Sequence, residues 1–255
     1  MAVSDARALL TMLAVLAGGC GFPADTAGRR YRCEAGDACP EGTACVNGYC
    51  EQQELLIDGG GPLEVCADGD LVRREDFDQL DEEVWWTWSN GDTDIVASGG
   101  ALVVSSTVES NGGIIAAEPE QLARLMVSVE VGTRSSQGVG SLAGLQLMDG
   151  GNGDTVVMVE RTGDQLRAVL YPSSGADMLI EAIDYDAAAQ RFWRIVTTDD
   201  TASFQYSSVE ANWTELANWA TTDLPAVVKP QVQSGSFGDS AEDQAFDLLT
   251  VCRLP

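Results

Sequence analysis

Short apolar runs separated by turn residues dominate the second half of this chain. Nine runs rich in β-branched and aromatic residues occupy positions 101–106, 125–131, 141–148, 155–161, 166–171, 192–197, 202–207, 227–233 and 245–252. Gly163-Asp164 and Asp199-Asp200 separate neighbouring runs, as tight hairpins require. Roughly twelve strands with no helix longer than two turns predict an all-β protein, a two-layer antiparallel sandwich.

One segment of this region allows two interpretations. In residues 207–222 (SSVEANWTELANWATT), Trp213, Leu216 and Ala217 have helical spacing. A strand would instead place Trp213, Ala217 and Trp219 on one face. The pattern alone leaves both readings open.

The N-terminus has the outline of an export signal. An apolar stretch at 8–17 (ALLTMLAVLA) is too short to span a membrane and is followed by Gly18, Gly19 and Cys20. This ending resembles the lipobox of bacterial lipoproteins, which implies a signal peptide over 1–19, lipidation of Cys20 and a tether over 20–32. Ordinary cleavage that leaves Cys20 free is the alternative. We therefore expect an exported protein whose partner is the membrane, and the lack of an acidic residue at Gly21 favours the outer membrane of the cell envelope.

The cysteines divide into three groups. Seven is an odd number, and assigning Cys20 to lipid leaves six that can pair. Residues 33–50 form a Cys-rich module too small to bury its own core, so we expect two disulfides there, with zinc as the less favoured alternative and three pairings open. Its cysteines are Cys33, Cys39, Cys45 and Cys50. A flexible linker follows at 51–65, and we expect Cys66 and Cys252 to join the two ends of the sandwich.

Charge and composition exclude several kinds of function. The chain has 14 Lys and Arg residues against 40 Asp and Glu, a net charge of −26, and no His. So few cations exclude a nucleic-acid partner. The absence of imidazole excludes Ser-His-Asp triads, Cys-His pairs and His-ligated zinc.

Several phrases of residues 66–255 resemble the concanavalin A-like lectin/glucanase superfamily, in particular its bacterial laminin-G-like domains. The opening phrase runs from Glu75-Asp76-Phe77-Asp78 to Trp85-Trp86, and a later one joins Trp193-Arg194 to Asn212-Trp213-Thr214. The Asp-Gly turn of that later phrase is absent here. The resemblance implies a jelly-roll β-sandwich that follows the small disulfide-rich module.

The resemblance also frames the expected chemistry. Glucanases of this superfamily carry Glu-x-Asp-x-x-Glu on one strand, and this chain lacks that spacing, so we expect no enzyme and no required cofactor. A non-catalytic recognition or adhesion module is the favoured function, with polysaccharide as its ligand. Candidate ligand contacts are Trp88, Asn90, Trp193, Arg194, Asn212 and Trp213.

Two alternatives and one metal site complete the expectations. A glycoside hydrolase with a displaced carboxylate pair would use Glu160 or Glu181, and a structural component would bind an envelope protein. The resemblance further implies a structural calcium between Asp76 or Glu75 of the first strand and Asp247 of the last.

Overall fold

The computed structural model describes residues 31–32, 43–46, 49–52, 66, 69–134, 141–151, 156–171, 178–237 and 241–255. The predicted signal peptide, Cys20, Cys33 and Cys39 lie outside these residues, as do the side chains of Cys45 and Cys50 and most of the tether and linker. Lipidation of Cys20 and the cysteine pairing of the module therefore stay predictions. None of the helical structure in the described ranges has the length and apolar character needed to cross a membrane.

The described residues form nineteen strands and one 3₁₀ turn at Thr221–Asp223. In chain order the strands are β1 (Tyr31–Arg32), β2 (Thr43–Val46), β3 (Tyr49–Gln52), β4 (Asp70–Glu75), β5 (Trp85–Asn90), β6 (Thr93–Ser98), β7 (Ala101–Ser106), β8 (Ser110–Ala116), β9 (Glu120–Gln121), β10 (Leu125–Arg134), β11 (Ser141–Asp149), β12 (Val156–Thr162), β13 (Gln165–Tyr171), β14 (Met178–Asp184), β15 (Phe192–Thr197), β16 (Thr201–Ser207), β17 (Thr214–Ala220), β18 (Val227–Ser236) and β19 (Glu242–Arg253). The first three make a small sheet of their own, in the order β1-β3-β2.

Two eight-stranded antiparallel sheets make up the rest. The first sheet has the order β17-β16-β15-β10-β19-β7-β6, with β4 also paired to β19. The second sheet has the order β14-β13-β12-β11-β18-β8-β5, with β9 also paired to β18. Strands distant in the chain are therefore neighbours in each sheet, and the all-β, two-layer jelly-roll sandwich predicted from the sequence is confirmed.

The core lies between the sheets and is filled by alternate residues of their strands. Trp85 and Ile114 come from the second sheet, and Trp193, Phe204 and Phe246 come from the first; all are at most 1% exposed. Burial of side chains of this size is the main favourable contribution to folding.

Trp193 corrects one sequence-based expectation. It was a candidate ligand contact, but its ring is fully buried and its indole N–H donates to the carbonyl of Gln190 at 2.8 Å. Because inward positions of β15 alternate with outward ones, Trp193 faces the core while Arg194 faces outward.

The segment with two interpretations is a strand. Residues 214–220 form β17 at the edge of the first sheet, with Ala217 and Trp219 packed against the core. Trp213 precedes this strand and does not share their position.

The two ends of the sandwich meet as predicted. β4 pairs with β19, and a disulfide joins Cys66 to Cys252 with their Cα atoms 5.6 Å apart. The nearby Glu120 carboxylate forms ion pairs with Arg73, at 2.8 Å, and with Arg253, at 2.9 Å. These ion pairs link β9 to both terminal strands.

Candidate functional site

The outer face of the second sheet carries one continuous row of residues from an edge tryptophan to a buried glutamate. In register across five neighbouring strands the row contains Trp88, Gly113, Gln233, Gly144 and Glu160. Core residues alternate with the row along these strands, namely Trp85, Ile114, Val232, Leu145 and Val159, so the row faces away from the first sheet. Four inter-strand spacings separate its ends, a span of about 19 Å. We call this the Trp88 row.

Aromatic rings lie at the open end of the row. Trp86, two residues from Trp88 on the same face of β5, is 54% exposed. The Lys229 ammonium lies 4.7 Å from the centre of the Trp86 ring and donates to the carbonyl of Ala117 at 2.7 Å. The predicted contact Asn90 is exposed at the end of the same strand, opposite Asn111. This end of the sheet therefore presents an aromatic surface beside polar groups.

The middle of the row combines polar groups with one thioether. Gly113 and Gly144 flank Gln233 and have no side chains of their own, and the Met158 sulfur covers Gly144, where a Cβ would lie 2.4 Å from it. In the adjacent row Gln231 is 2% exposed, and its side-chain oxygen has no hydrogen-bond partner in the part of the chain that the structure describes. The indole nitrogen of Trp88 likewise lacks a partner among those residues. Unpaired buried polar atoms are costly, and a ligand hydroxyl can satisfy them.

Glu160 ends the row in a network of donors. The Tyr171 hydroxyl donates to one carboxylate oxygen at 3.0 Å, and the Thr162 hydroxyl donates to the other at 3.2 Å. The Arg167 Nε lies 3.5 Å from that second oxygen. The side chain is 1% exposed, so its orientation is fixed by these contacts. A carboxyl group held in this way can transfer a proton to or from a group that reaches it.

Three other predicted contacts lie on the opposite side of the molecule. On the outer face of the first sheet, the Arg194 guanidinium lies 4.0 Å from the centre of the Trp213 ring. Its Nε donates to the side-chain oxygen of Gln205 at 2.7 Å. Asn212 is exposed next to Trp213, with a positive φ of 51° that belongs to the turn before β17. The six predicted contacts thus divide among the core and two separate faces.

The calcium expectation receives no support from the geometry. Asp76 is exposed and one of its oxygens accepts the backbone N–H of Asp78 at 3.3 Å. Asp247 is 9% exposed and packs so closely on Gly132 that a Cβ there would lie 2.8 Å from its carboxylate. Across the described ranges, no group of three or more acidic, His or Cys side chains is arranged to hold a metal ion. Calcium stays a prediction of the resemblance, and no chemistry is assigned to it.

Sequence reasoning missed Lys229 and Gln231 as members of this site. A usable signal was present, because Lys229, Gln231 and Gln233 alternate with the apolar residues Val228, Pro230 and Val232. Trp86 and Trp88 show the same period of two. This spacing places polar or aromatic side chains together on one face.

Comparison with solved structures places the sandwich among glucanase-like folds. A non-specific endo-β-1,3(4)-glucanase from family GH16 has a TM-score of 0.56 and 11% identity, over 76% of this chain and 95% of that one. A laminarinase from Flavobacterium has a TM-score of 0.56 and 14% identity, over 72% of this chain and 100% of that one. An immunostimulatory antigen and pseudo β-1,3-glucanase of Mycobacterium tuberculosis has a TM-score of 0.57 and 13% identity, over 73% of this chain and 100% of that one. No family model and no curated protein matches the sequence.

These comparisons overturn the prediction that the protein is not an enzyme. That prediction rested on the missing Glu-x-Asp-x-x-Glu strand, yet the structures that share this fold include a glucanase and a laminarinase. At 11% and 14% identity the likeness shows the fold alone. The missing motif therefore does not remove the chain from a fold that supports glycan hydrolysis.

Proposed function

We propose that this protein binds an extended polysaccharide along the Trp88 row. The observation that carries the proposal is the register that connects half-buried Trp88, next to exposed Trp86, to Glu160 across a floor containing two glycines. Sugar rings stack on aromatic faces, and their hydroxyls bond to polar groups of the type found in the row. A linear chain of sugars matches a row that runs straight across the sheet.

The unpaired polar atoms support a sugar ligand in particular. The Trp88 indole nitrogen is a donor and the Gln231 side-chain oxygen is an acceptor, and both lack partners within the described residues. A hydroxyl both donates and accepts, so one class of ligand can satisfy both atoms. An apolar ligand would leave them unpaired at a cost of roughly 1–3 kcal/mol each.

Hydrolysis of the bound polysaccharide is a second candidate, and Glu160 is the observation that favours it. Glycoside hydrolases need a carboxylic acid that protonates the leaving oxygen and a second carboxylate that acts as base or nucleophile. Glu160 has the fixed orientation required of the first group. Asp184 is exposed on β14, two strands from Glu160. It pairs with Gln165 of β13, which in turn pairs with Thr162 of β12, so Asp184 lies in the row next to that of Glu160. Asp184 is therefore the described carboxylate to test as the partner.

One experiment separates the candidates. The purified protein is titrated with a β-1,3-glucan and a mixed-linkage β-1,3(4)-glucan, because the similar structures include enzymes named for such substrates. Reducing ends are measured in the same samples. Trp88→Ala should weaken binding by about tenfold, since loss of one stacking contact costs on the order of 1–2 kcal/mol.

The variants give each candidate its own outcome. Glu160→Gln should leave binding within about threefold, and if the protein hydrolyses glycan it should abolish the release of reducing ends. Trp213→Ala, on the opposite sheet, is the matched tryptophan control and should change neither quantity. Equal binding by wild type and Trp88→Ala would refute the assignment of this face.

We also propose that the chain acts at the cell envelope through a lipid on Cys20. The basis is the N-terminal sequence, and several acyl chains would give a stable anchor at about 0.8 kcal/mol for each buried methylene. Labelled palmitate should enter the wild-type chain in cells and not the Cys20→Ser variant. Recovery of both forms in the soluble fraction would argue against this location.

A further inference from the structure

A second polar row crosses the outer face of the first sheet, on the side of the molecule opposite the Trp88 row. In register it contains Arg74 of β4, Thr250 of β19, Ser128 of β10, Arg194 of β15 and Gln205 of β16. The residues on either side of each in its strand face the core or its margin, so these five point outward. We call this row the arginine strip.

The two arginines of the strip differ from most others in the sandwich. Neither Arg74 nor Arg194 has a carboxylate oxygen within 4.0 Å in the part of the chain that the structure describes. Five other arginines each pair with a carboxylate: Arg73, Arg124, Arg167, Arg191 and Arg253. Although the chain has 40 acidic residues, these two arginines have no carboxylate partner within the described residues and are free to bind an anionic ligand.

Arg194 is held in place although it lacks a counter-ion. Its guanidinium stacks on Trp213, its Nε bonds to Gln205, and one terminal nitrogen lies 3.9 Å from the sulfur of Met126. Burial lowers the pKa of Arg194 to about 10, so the group is still charged at neutral pH. A cation that has lost part of its hydration gains from an anion that replaces the lost water.

Hydroxyl groups lie between the two arginines. Thr250 is fully buried, and its hydroxyl has no hydrogen-bond partner among the described residues. Ser128 is 8% exposed beside it. Three inter-strand spacings, about 14 Å between Cα positions, separate Arg74 from Arg194. The strip therefore has two cations in line with the slightly exposed Ser128 hydroxyl between them, while the Thr250 hydroxyl lies beneath the surface.

From this arrangement we infer that the arginine strip binds the sulfate or carboxylate groups of an acidic polysaccharide, as a second surface independent of the Trp88 row. Guanidinium groups bind such oxyanions through paired N–H donors. Trp213 stacks on Arg194 beside the line, and beyond Gln205 the register ends at the exposed carboxylate of Glu215 on β17. Attraction to an anionic membrane depends on clusters of four or more cations, which this strip does not have. A polymer with spaced acidic groups fits the geometry better.

The test measures binding of the full chain to three soluble polymers at about 0.15 M salt, where charges more than a Debye length away are screened. Dextran sulfate and polygalacturonate supply the two oxyanions, and dextran is the neutral control. Arg194→Gln and Arg74→Gln are the test variants. Arg124→Gln is the matched control, because Arg124 directly precedes β10 of the same sheet, is exposed and is paired with Asp199.

We expect saturable binding to at least one acidic polymer and none to dextran. Each strip variant should weaken it about tenfold, the double variant about a hundredfold, and Arg124→Gln less than twofold. Equal losses in all three single variants would overturn the inference, because net charge would then explain the binding. Absence of binding to both acidic polymers would overturn it as well, and so would arginine-dependent binding to anionic vesicles in place of polymer.

A variant of one surface should not affect binding at the other surface. Trp88→Ala should leave binding of acidic polymer unchanged, and Arg194→Gln should leave binding of neutral glucan unchanged. Loss of both activities in either variant would indicate a folding defect, which far-ultraviolet circular dichroism and the urea midpoint of the same samples would reveal. A well-folded variant that loses both activities would contradict the separation of the two sites.

Discussion

The disulfide between Cys66 and Cys252 should contribute a large part of the stability of the sandwich. The two cysteines are 186 positions apart, so the crosslink restricts nearly the whole domain in the unfolded state. The chain-entropy relation gives about 5 kcal/mol for a loop of this length. Domains of this kind have total stabilities of roughly 5–15 kcal/mol, so the loss would be easy to measure.

The perturbation is the double variant Cys66→Ala/Cys252→Ala. Both positions are buried, and alanine introduces no polar group there. The ends of the sandwich should still meet, because β4 remains paired with β19 and Glu120 still holds Arg73 and Arg253. We therefore expect a native circular dichroism spectrum together with a free energy of unfolding lower by up to about 5 kcal/mol.

Urea unfolding with and without reductant supplies the assay and its control. Reductant should destabilise the wild type much more than the double variant, and that difference isolates the Cys66–Cys252 bond from the other cysteines. The denaturant slope should also rise in the double variant, because its unfolded chain exposes more surface. A loss below about 1 kcal/mol with an unchanged slope would refute the entropic reasoning.

Three further outcomes follow from local environments. Burial, followed by the charges of Asp76 and Asp81, raises the pKa of Glu75 above its ordinary 4.5, so ionised Glu75 opposes folding once the pH exceeds its unfolded pKa. Glu75→Gln should therefore be more stable than wild type at pH 7, with the gain disappearing below about pH 4, and equal urea midpoints at pH 7 would contradict this. Gly113→Ala should destabilise the protein by more than about 3 kcal/mol, because the new Cβ would lie 2.0 Å from the backbone oxygen of Val232. Gly163→Ala, in open space at a φ of +58°, should cost only about 1–2 kcal/mol, and thermal unfolding of the two alanine variants compares them directly. If the two variants lost similar amounts of stability, the steric clash at Gly113 would cost no more than the positive φ at Gly163, and the prediction would be wrong.

Strands with an apolar alternation were predictable, and strands at the sheet margins were not. The run at 101–106 coincides with β7, and the run at 192–197 coincides with β15. By contrast β5, β6, β8 and β14 were missed as strands. β5, β6 and β14 each lie at an edge, where polar residues are tolerated on both faces, whereas β8 lies inside the second sheet and begins with the run Ser110-Asn111-Gly112-Gly113, which has no apolar alternation. An edge strand needs less burial, so its sequence carries a weaker signal of period two.

The candidate site depends on the register between neighbouring strands, and local sequence does not determine that register. Trp88 and Glu160 are 72 positions apart, and the strands between them in the sheet are β8, β18 and β11, taken from three distant parts of the chain. Alternation within each strand predicts which residues share a face, but not which strands are neighbours. A shift of β12 by one residue would turn Glu160 into the core and bring Val159 to the surface. Burial of Val157 and Val159 therefore fixes the position of Glu160, so the packing of the core determines the chemistry available on the outer face.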